Sequence, residues 1–453
     1  MFPLSSLHDR LEGRLREALS RHRVPGAVLG LALADETAVA AAGVANCRTG
    51  APVRPDSLFP IGSVTKVYEA SLVLSLGLDL DEPVRRRQLP DFRVADAEAT
   101  ETITLRHLLT HSSGLEGDYL ADFGRGDDVV RRYVESCATL GQLHPPGLLT
   151  SYCNSGCVVG GRIVELATDL DWDSALRRRL LEPAALTDTV SLPEDAILRP
   201  VAVGHLPGED GPVVTTEWSW GRSFGPAGGT PAASAPDLLA FARLHLEGRG
   251  ALGTEIPAAM AEWQRAWPEG IEPGLAGQGL GWLIWDWGGA RVPGHDGSGV
   301  GCFASLRLVP DRGIAVIVLT NYETEGIELA DELIRGVLAE EAGLSPPPRL
   351  APIERDAPLE PSRYTGAYKR LNTAYEITER PGPGLAARVF MDAMGVVVPD
   401  DVAERTLEPA GDDLFAMRHA QVATDTAIRF VDADGDGELD YLYDDKWANR
   451  RLS

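Results

Sequence analysis

The chain has 453 residues, with 44% hydrophobic and 24% charged, and a formal net charge of −25. That is ample for a buried core and more than one small domain uses, so two domains are expected. The acidic balance excludes a nucleic-acid binder, which needs clustered Lys and Arg, and argues against an anionic membrane surface.

Taken in order, residues 7–22 carry apolar positions at helical spacing and predict an amphipathic opening helix. No basic n-region and no apolar h-region precede it, so no secretory signal is read and a cytoplasmic protein is expected. The run VPGAVLGLALADETAVAAAGVA (24–45) is cut by Asp35 and Glu36. It is too short to span a membrane and reads as two strands around a turn at ADET. FPIGSVTKVYEASLVLSLGL (59–78) predicts a turn followed by a buried helix. From about 104 to 250, helical patterns alternate with Gly/Pro-rich loops; strand-like runs return at GLGWLIWDW, CFASLRLVP and IAVIVLTN, and a last helix is expected at 326–342.

This order predicts an α+β domain over 1–344, an antiparallel sheet flanked by helices in which the first and last strands meet. A Pro-rich linker covers 345–361, and 362–453 reads as short strands of an all-β domain. The cysteines Cys47, Cys137, Cys153, Cys157 and Cys302 form no disulfide framework and no zinc set.

Three short segments carry chemistry. Ser63 and Lys66 lie three apart, so a helix puts both side chains on one face. A serine hydroxyl needs a base to attack, and a lysine becomes one when burial lowers its pKa. TSYCNSGC brings Tyr152 and Asn154, a candidate proton relay and an amide that orients Lys66 and a substrate carbonyl. VPGHDGSGVG brings His295, Asp296 and Gly297 directly before a strand, where a glycine permits close backbone approach. Singly, each pattern is as well explained by a helix start, a turn or core packing.

In this order, S-x-x-K, then Y-x-N, then H-x-G, the sequence resembles the serine β-lactamase and penicillin-binding-protein superfamily, in the branch with class C β-lactamases, esterases and D-stereospecific peptidases. LRHLLTHSSGL (105–115), PPGLLTSYCNSG and GGTPAASAPDLLAFARLHL are similar to that family's connecting segments. The resemblance implies a β-lactamase/transpeptidase-like fold: a sheet with flanking helices, an all-helical lobe, and a site between them. It makes Ser63 the acylated nucleophile, Lys66 its base, Tyr152 the relay and Asn154 the positioning amide. The amides of Ser63 and Ser298 become the oxyanion hole, and His295 stands where the family often has lysine.

A neutral histidine beside an acidic Asp296 is expected to bind a carboxylate poorly, which points away from β-lactamases and carboxypeptidases. The tail resembles the lipocalin-like domain of penicillin-binding-protein-type thioesterases, which release nonribosomal peptides ending in a D-residue by head-to-tail cyclisation. The resemblance therefore implies a peptidyl thioester substrate, presented by a peptidyl carrier protein, with no cofactor or metal. A D-stereospecific peptidase or esterase is the alternative, and a non-catalytic homologue the third reading.

Weaker signals remain. Asp432, Asp434, Asp436 and Gly437 match EF-hand spacing, but Tyr443 stands at the twelfth position, so a polar hairpin turn is expected. His107 and His111 lack the glutamate of a zinc helix. Trp263, Trp267, Trp282, Trp285 and Trp287 are assigned mostly to core packing. Gly228 is expected to edge the cleft, and Arg450 to bring a cation to it from the β-domain.

Overall fold

The computed structural model describes residues 4–452 apart from 35, 356–357, 381–383, 394–395, 398–403 and 419–424. Alternation sets its layers. Strand Ile314–Thr320 is buried throughout. Its Ala315, Ile317 and Leu319 enter one core while Ile314, Val316 and Val318 enter another, the period-two pattern of a strand covered on both faces. It pairs antiparallel with Gly26–Leu33 on one side and Cys302–Val309 on the other, so the ends of the first domain meet mid-sheet, as expected. From these three, six more strands run outward to make a nine-stranded sheet, through Glu36–Asn46 to Ala51–Pro52 and through Ala290–Gly299, Leu283–Trp287 and Leu275–Gln278 to Arg265–Ala266. The turn of the first hairpin sits at Ala34, with Glu36 already in the return strand; Asp35 lies outside the described residues.

Helices Leu4–His22 and Glu323–Glu341 share a core with one face through Leu11, Leu15, Leu329 and Leu333. Helix Ala235–Glu247 covers the other through Leu238 and Leu239. The same core continues into a lobe of helices Thr65–Ser75, Leu105–Leu109, Val129–Ser136, Asn154–Thr168 and Trp172–Leu176. The stretch from 198 to 230 is less helical than the sequence pattern suggests: two-residue strands at His205–Leu206 and Val213–Val214 and a short 3-10 segment Arg222–Ala227 replace it.

Beyond the Pro-rich segment, eight strands between Gly366 and Arg451 close into a barrel. Gly366–Arg370 pairs with Trp447–Arg451, and Thr373–Arg380 with Gly384–Ala393. Residues 394–395 and 398–400 of the expected strand run lie outside the described residues. Tyr368, Phe415, Phe430 and Leu442 fill the barrel. One of its hairpins docks on the first domain: Tyr441, Tyr443 and Ala448 share a core with Leu143, Leu149, Tyr152 and Trp267.

Candidate active site

The short strand Phe59–Pro60 pairs with Ala232–Ala233 and delivers the chain into a 3-10 turn, Gly62–Val64, that runs into helix Thr65–Ser75. Ser63 therefore sits at a helix start, where first-turn amides lack intrahelical acceptors. Lys66 Nζ lies 2.8 Å from Ser63 Oγ and donates to the carbonyl of Ala227 at 2.7 Å. Burial pulls the Lys66 pKa down to about 8, against the pull of Cys157, Asp118 and Cys153. A substantial neutral fraction is thus present near pH 7, as a general base requires.

Tyr152 completes the group. Its ring centroid is 4.9 Å from Lys66 Nζ, and its hydroxyl hydrogen-bonds Ser63. Burial keeps the phenol well above its usual pKa, so it stays protonated and can only hand a proton on. Tyr152 is gripped from two sides. Ser151 N–H donates to the His111 carbonyl at 2.8 Å, Cys153 N–H donates to His111 Nδ1 at 3.1 Å, and the His111 ring lies tilted against Tyr152 with centroids 4.4 Å apart. From the barrel, the Lys446 carbonyl accepts from Tyr152 N–H at 2.8 Å, and Trp447 meets the ring edge-on at 5.3 Å. His107 instead completes the capping box of helix Leu105–Leu109.

Two glycines let neighbouring backbone close on the nucleophile. A Cβ on Gly297 would lie 2.7 Å from Ser63 N and 2.9 Å from Val64 N, and would also strike the Ile61 carbonyl. Gly228, at φ +113°, would put a Cβ 2.9 Å from Ser63 N. Ser63, Gly228, Gly297 and Ser298 all line one cleft of about 760 Å³, which runs from the nucleophile between the first domain and the barrel. Trp285 and Trp287 also line it, whereas Trp282 and Trp267 are core and Trp263 is exposed.

His295 is buried and neutral, its pKa pulled down to about 3 by burial and the Lys66 charge. Its Nδ1–H donates to the Asp296 carbonyl at 2.6 Å, which leaves Nε2 a bare acceptor without a described protein partner.

Three expectations need correction. Asn154 does not orient Lys66: its Nδ2 donates to Asp118 Oδ1 at 2.8 Å, and the oxygen on Lys66 is the Ala227 carbonyl. Arg450 does not reach the cleft. It is exposed on the barrel, in register with Tyr441 and Lys369, and the cation from that segment that lines the cleft is Lys446, 2.7 Å from Glu272. Asp296 is not a free anion. Arg307 holds it with two bonds of 2.7 and 2.8 Å, Ser305 donates a third, and Arg307 stacks 3.6 Å over Trp285. These bonds keep the Asp296 carboxylate below its usual pKa despite burial.

Asp118, His111 and the Lys446–Trp447 turn were missed as site residues. His111 lies within the segment 105–115 that carries the resemblance; a backbone carbonyl such as that of Ala227 leaves no trace in side-chain patterns. In the barrel loop, the carboxylates of Asp432, Asp434, Asp436 and Asp440 lie within 4.8 Å of one another, and Asp432 accepts from the N–H groups of Gly435 and Gly437 as a tight turn does. Among the described residues no helix is long and apolar enough to cross a membrane.

The family model described as Beta-lactamase matches residues 10–339. "Penicillin-binding protein 4" of Amycolatopsis lactamdurans is 40% identical over 376 residues, covering 80% of this chain and 98% of that protein. "Esterase EstB" of Burkholderia gladioli is 29% identical over 372 residues, 71% of this chain and 92% of that protein. The crystal structure of SurE is 29% identical with a TM-score of 0.79 over 99% of this chain and 100% of that one; SurE has also been solved with D-Leu. A D-amino acid amidase from Ochrobactrum anthropi shares the fold, at 24% identity and a TM-score of 0.61 over 73% of this chain and 99% of that one. The chain belongs to the β-lactamase family, within the superfamily of serine hydrolases that includes the penicillin-binding proteins.

Proposed function

We propose that this protein is a stand-alone penicillin-binding-protein-type thioesterase that releases and macrocyclises a peptide ending in a D-residue. The observation that carries the reading is the Ser63–Lys66 contact, with Lys66 buried at a pKa of about 8, opening onto a cleft of about 760 Å³ walled by both domains. SurE's structure with D-Leu supports the D-residue, and the barrel wall of the cleft suits a substrate larger than an amino acid.

In acylation, neutral Lys66 takes the Ser63 proton as Oγ attacks the thioester carbonyl. The C–S bond breaks, and the thiolate leaves with a proton passed on by Lys66 and Tyr152. The amides of Ser63 and Ser298 hold the oxyanion, and His295 and Asn154 line the approach. In release, the peptide's own amine attacks the ester, the C–O bond breaks, and the amine's proton returns to Ser63 Oγ. The donor is a peptidyl carrier protein, which places the reaction in the cytoplasm. A D-stereospecific peptidase or esterase breaks an amide or ester bond at the first step, releasing an amine or alcohol, and admits water at the second; the similarity to Esterase EstB favours keeping it as the second reading.

Mass spectrometry of products from a peptidyl thioester ending in a D-residue, its L-epimer and a Ser63→Ala control decides between them. Cyclic product from the D-form alone is expected. Linear acid alone selects the hydrolase, and no Ser63-dependent product from either epimer overturns both.

A further inference from the structure

One acid of the cleft has no basic side chain within 4 Å among the described residues. Asp296 is paired with Arg307, Glu272 and Asp445 with Lys446, Asp331 with Arg335 and Arg349, and Asp425 with Arg418. Glu328 faces His22. Asp118 lines the same cleft beside Ser63 and Tyr152, and no described cation pairs with it.

Its placement is fixed from both domains. Asn154 Nδ2 donates to Oδ1 at 2.8 Å, which leaves Oδ2 open, and Asn372 of the barrel donates to the Asp118 carbonyl at 2.5 Å. The preceding Gly117 accepts from Ser155 N–H at 3.0 Å, and a Cβ there would lie 2.5 Å from the Tyr152 carbonyl oxygen. Both Lys66 and Tyr152 feel the Asp118 charge, and in Lys66 it favours the charged form, against the lysine's work as a base. A held carboxylate beside a reaction centre, with no cation of its own, is a seat for one brought by the substrate.

Resting on the thioesterase reading, we infer that Asp118 docks the primary ammonium group of the substrate, namely the N-terminal amine that later resolves the acyl-enzyme. Docking seats the two ends of the peptide in one cleft and neutralises the charge that opposes Lys66. The ammonium releases its extra proton to water before the neutral amine attacks the Ser63 ester.

The test measures binding, so it stands apart from turnover. Ser63→Ala is titrated calorimetrically with three linear peptides ending in a D-residue amide: one with a free N-terminus and no basic side chain, one N-acetylated, and one N-acetylated with an internal lysine. The free amine is expected to bind roughly tenfold more tightly than its acetylated form, the size of one charge-assisted hydrogen bond. In Ser63→Ala with Asp118→Asn the ratio falls towards one, and with Asp118→Glu it is retained. A ratio that survives Asp118→Asn, or that equals one in Ser63→Ala itself, overturns the inference. Recovery by the internal lysine alone overturns the assignment to the N-terminus. If the Asn variant does not fold, loss of the ratio at high salt supports the inference and a salt-independent ratio refutes it. Tight, amine-dependent binding combined with no thiol release from the matching thioester by the unsubstituted enzyme refutes the thioesterase reading and leaves the Asp118 seat standing.

Discussion

The rate of Ser63 acylation should follow the titration of Lys66. Full burial moves its pKa from 10.5 to about 8. At pH 7 roughly a tenth of the molecules then carry neutral Lys66, against about one in three thousand for an unshifted lysine, a gain of about 300-fold in available base. The assay is thiol release from a small acyl thioester under kcat/KM conditions between pH 6 and 9.5 at fixed ionic strength. The logarithm of the rate should rise with unit slope and level off near pH 8. Lys66→Arg, charged at every accessible pH, should abolish the rise together with the activity. The same shift has a stability signature. Between pH 8 and 10.5 the unfolded chain binds the Lys66 proton and the native chain does not, so stability rises with pH across that window and carries the full deficit below it. The deficit is about 3 kcal/mol, and a substituted protein recovers it less the hydrogen bonds that Lys66 makes to Ser63 and Ala227. Lys66→Met should therefore be inactive yet more stable at pH 7, by about 1–2 kcal/mol in a urea titration. A pH-independent acylation rate, or a Lys66→Met protein less stable than its parent, refutes the assignment of a buried, low-pKa lysine.

Glu69 on the same helix shows the opposite sign. Burial raises its pKa to about 8 although Trp172 Nε1 donates to it at 2.6 Å. The native chain keeps the proton that the unfolded chain releases, so stability is lost as pH rises from 4.5 towards 8; Glu69→Gln should flatten that loss and raise Tm at pH 8 more than at pH 5. Arg307→Met should destabilise by about 2–3 kcal/mol by stranding the partly buried Asp296, and adding Asp296→Asn should recover much of it in chemical denaturation. Tyr443→Phe removes a 2.8 Å bond to the Thr150 carbonyl, two residues before Tyr152. It should lower kcat more than it changes KM while costing about 1–2 kcal/mol of stability, and a change in KM alone would count against the barrel positioning Tyr152.

Much of this site is legible in the chain because it is built from local geometry. Ser63 and Lys66 are neighbours on any helix, and Gly297 announces a close approach that the Ser63 amide then makes. What escaped depends on register between distant segments. Asp296 pairs across the sheet with Ser305, which puts Arg307 two residues further along the same face, and only that register neutralises the acid. Likewise the terminal segment was expected to supply a cation through Arg450. The hairpin turn falls between Asp444 and Trp447, however, so Lys446 is carried to the cleft and Arg450 out to solvent. The continuous apolar run Ile314–Thr320 predicts a strand; that both of its faces are covered, and by which helices, follows from the packing of Leu4–His22 and Ala235–Glu247.

Intact-protein mass spectrometry of the enzyme quenched milliseconds after mixing with a peptidyl thioester ending in a D-residue tests the central claim most directly. The account predicts a mass increase equal to the peptidyl group, mapped by digestion to Ser63 and absent from Ser63→Ala and Lys66→Met. Product formation with no adduct on Ser63, or with an adduct that survives Ser63→Ala, contradicts it.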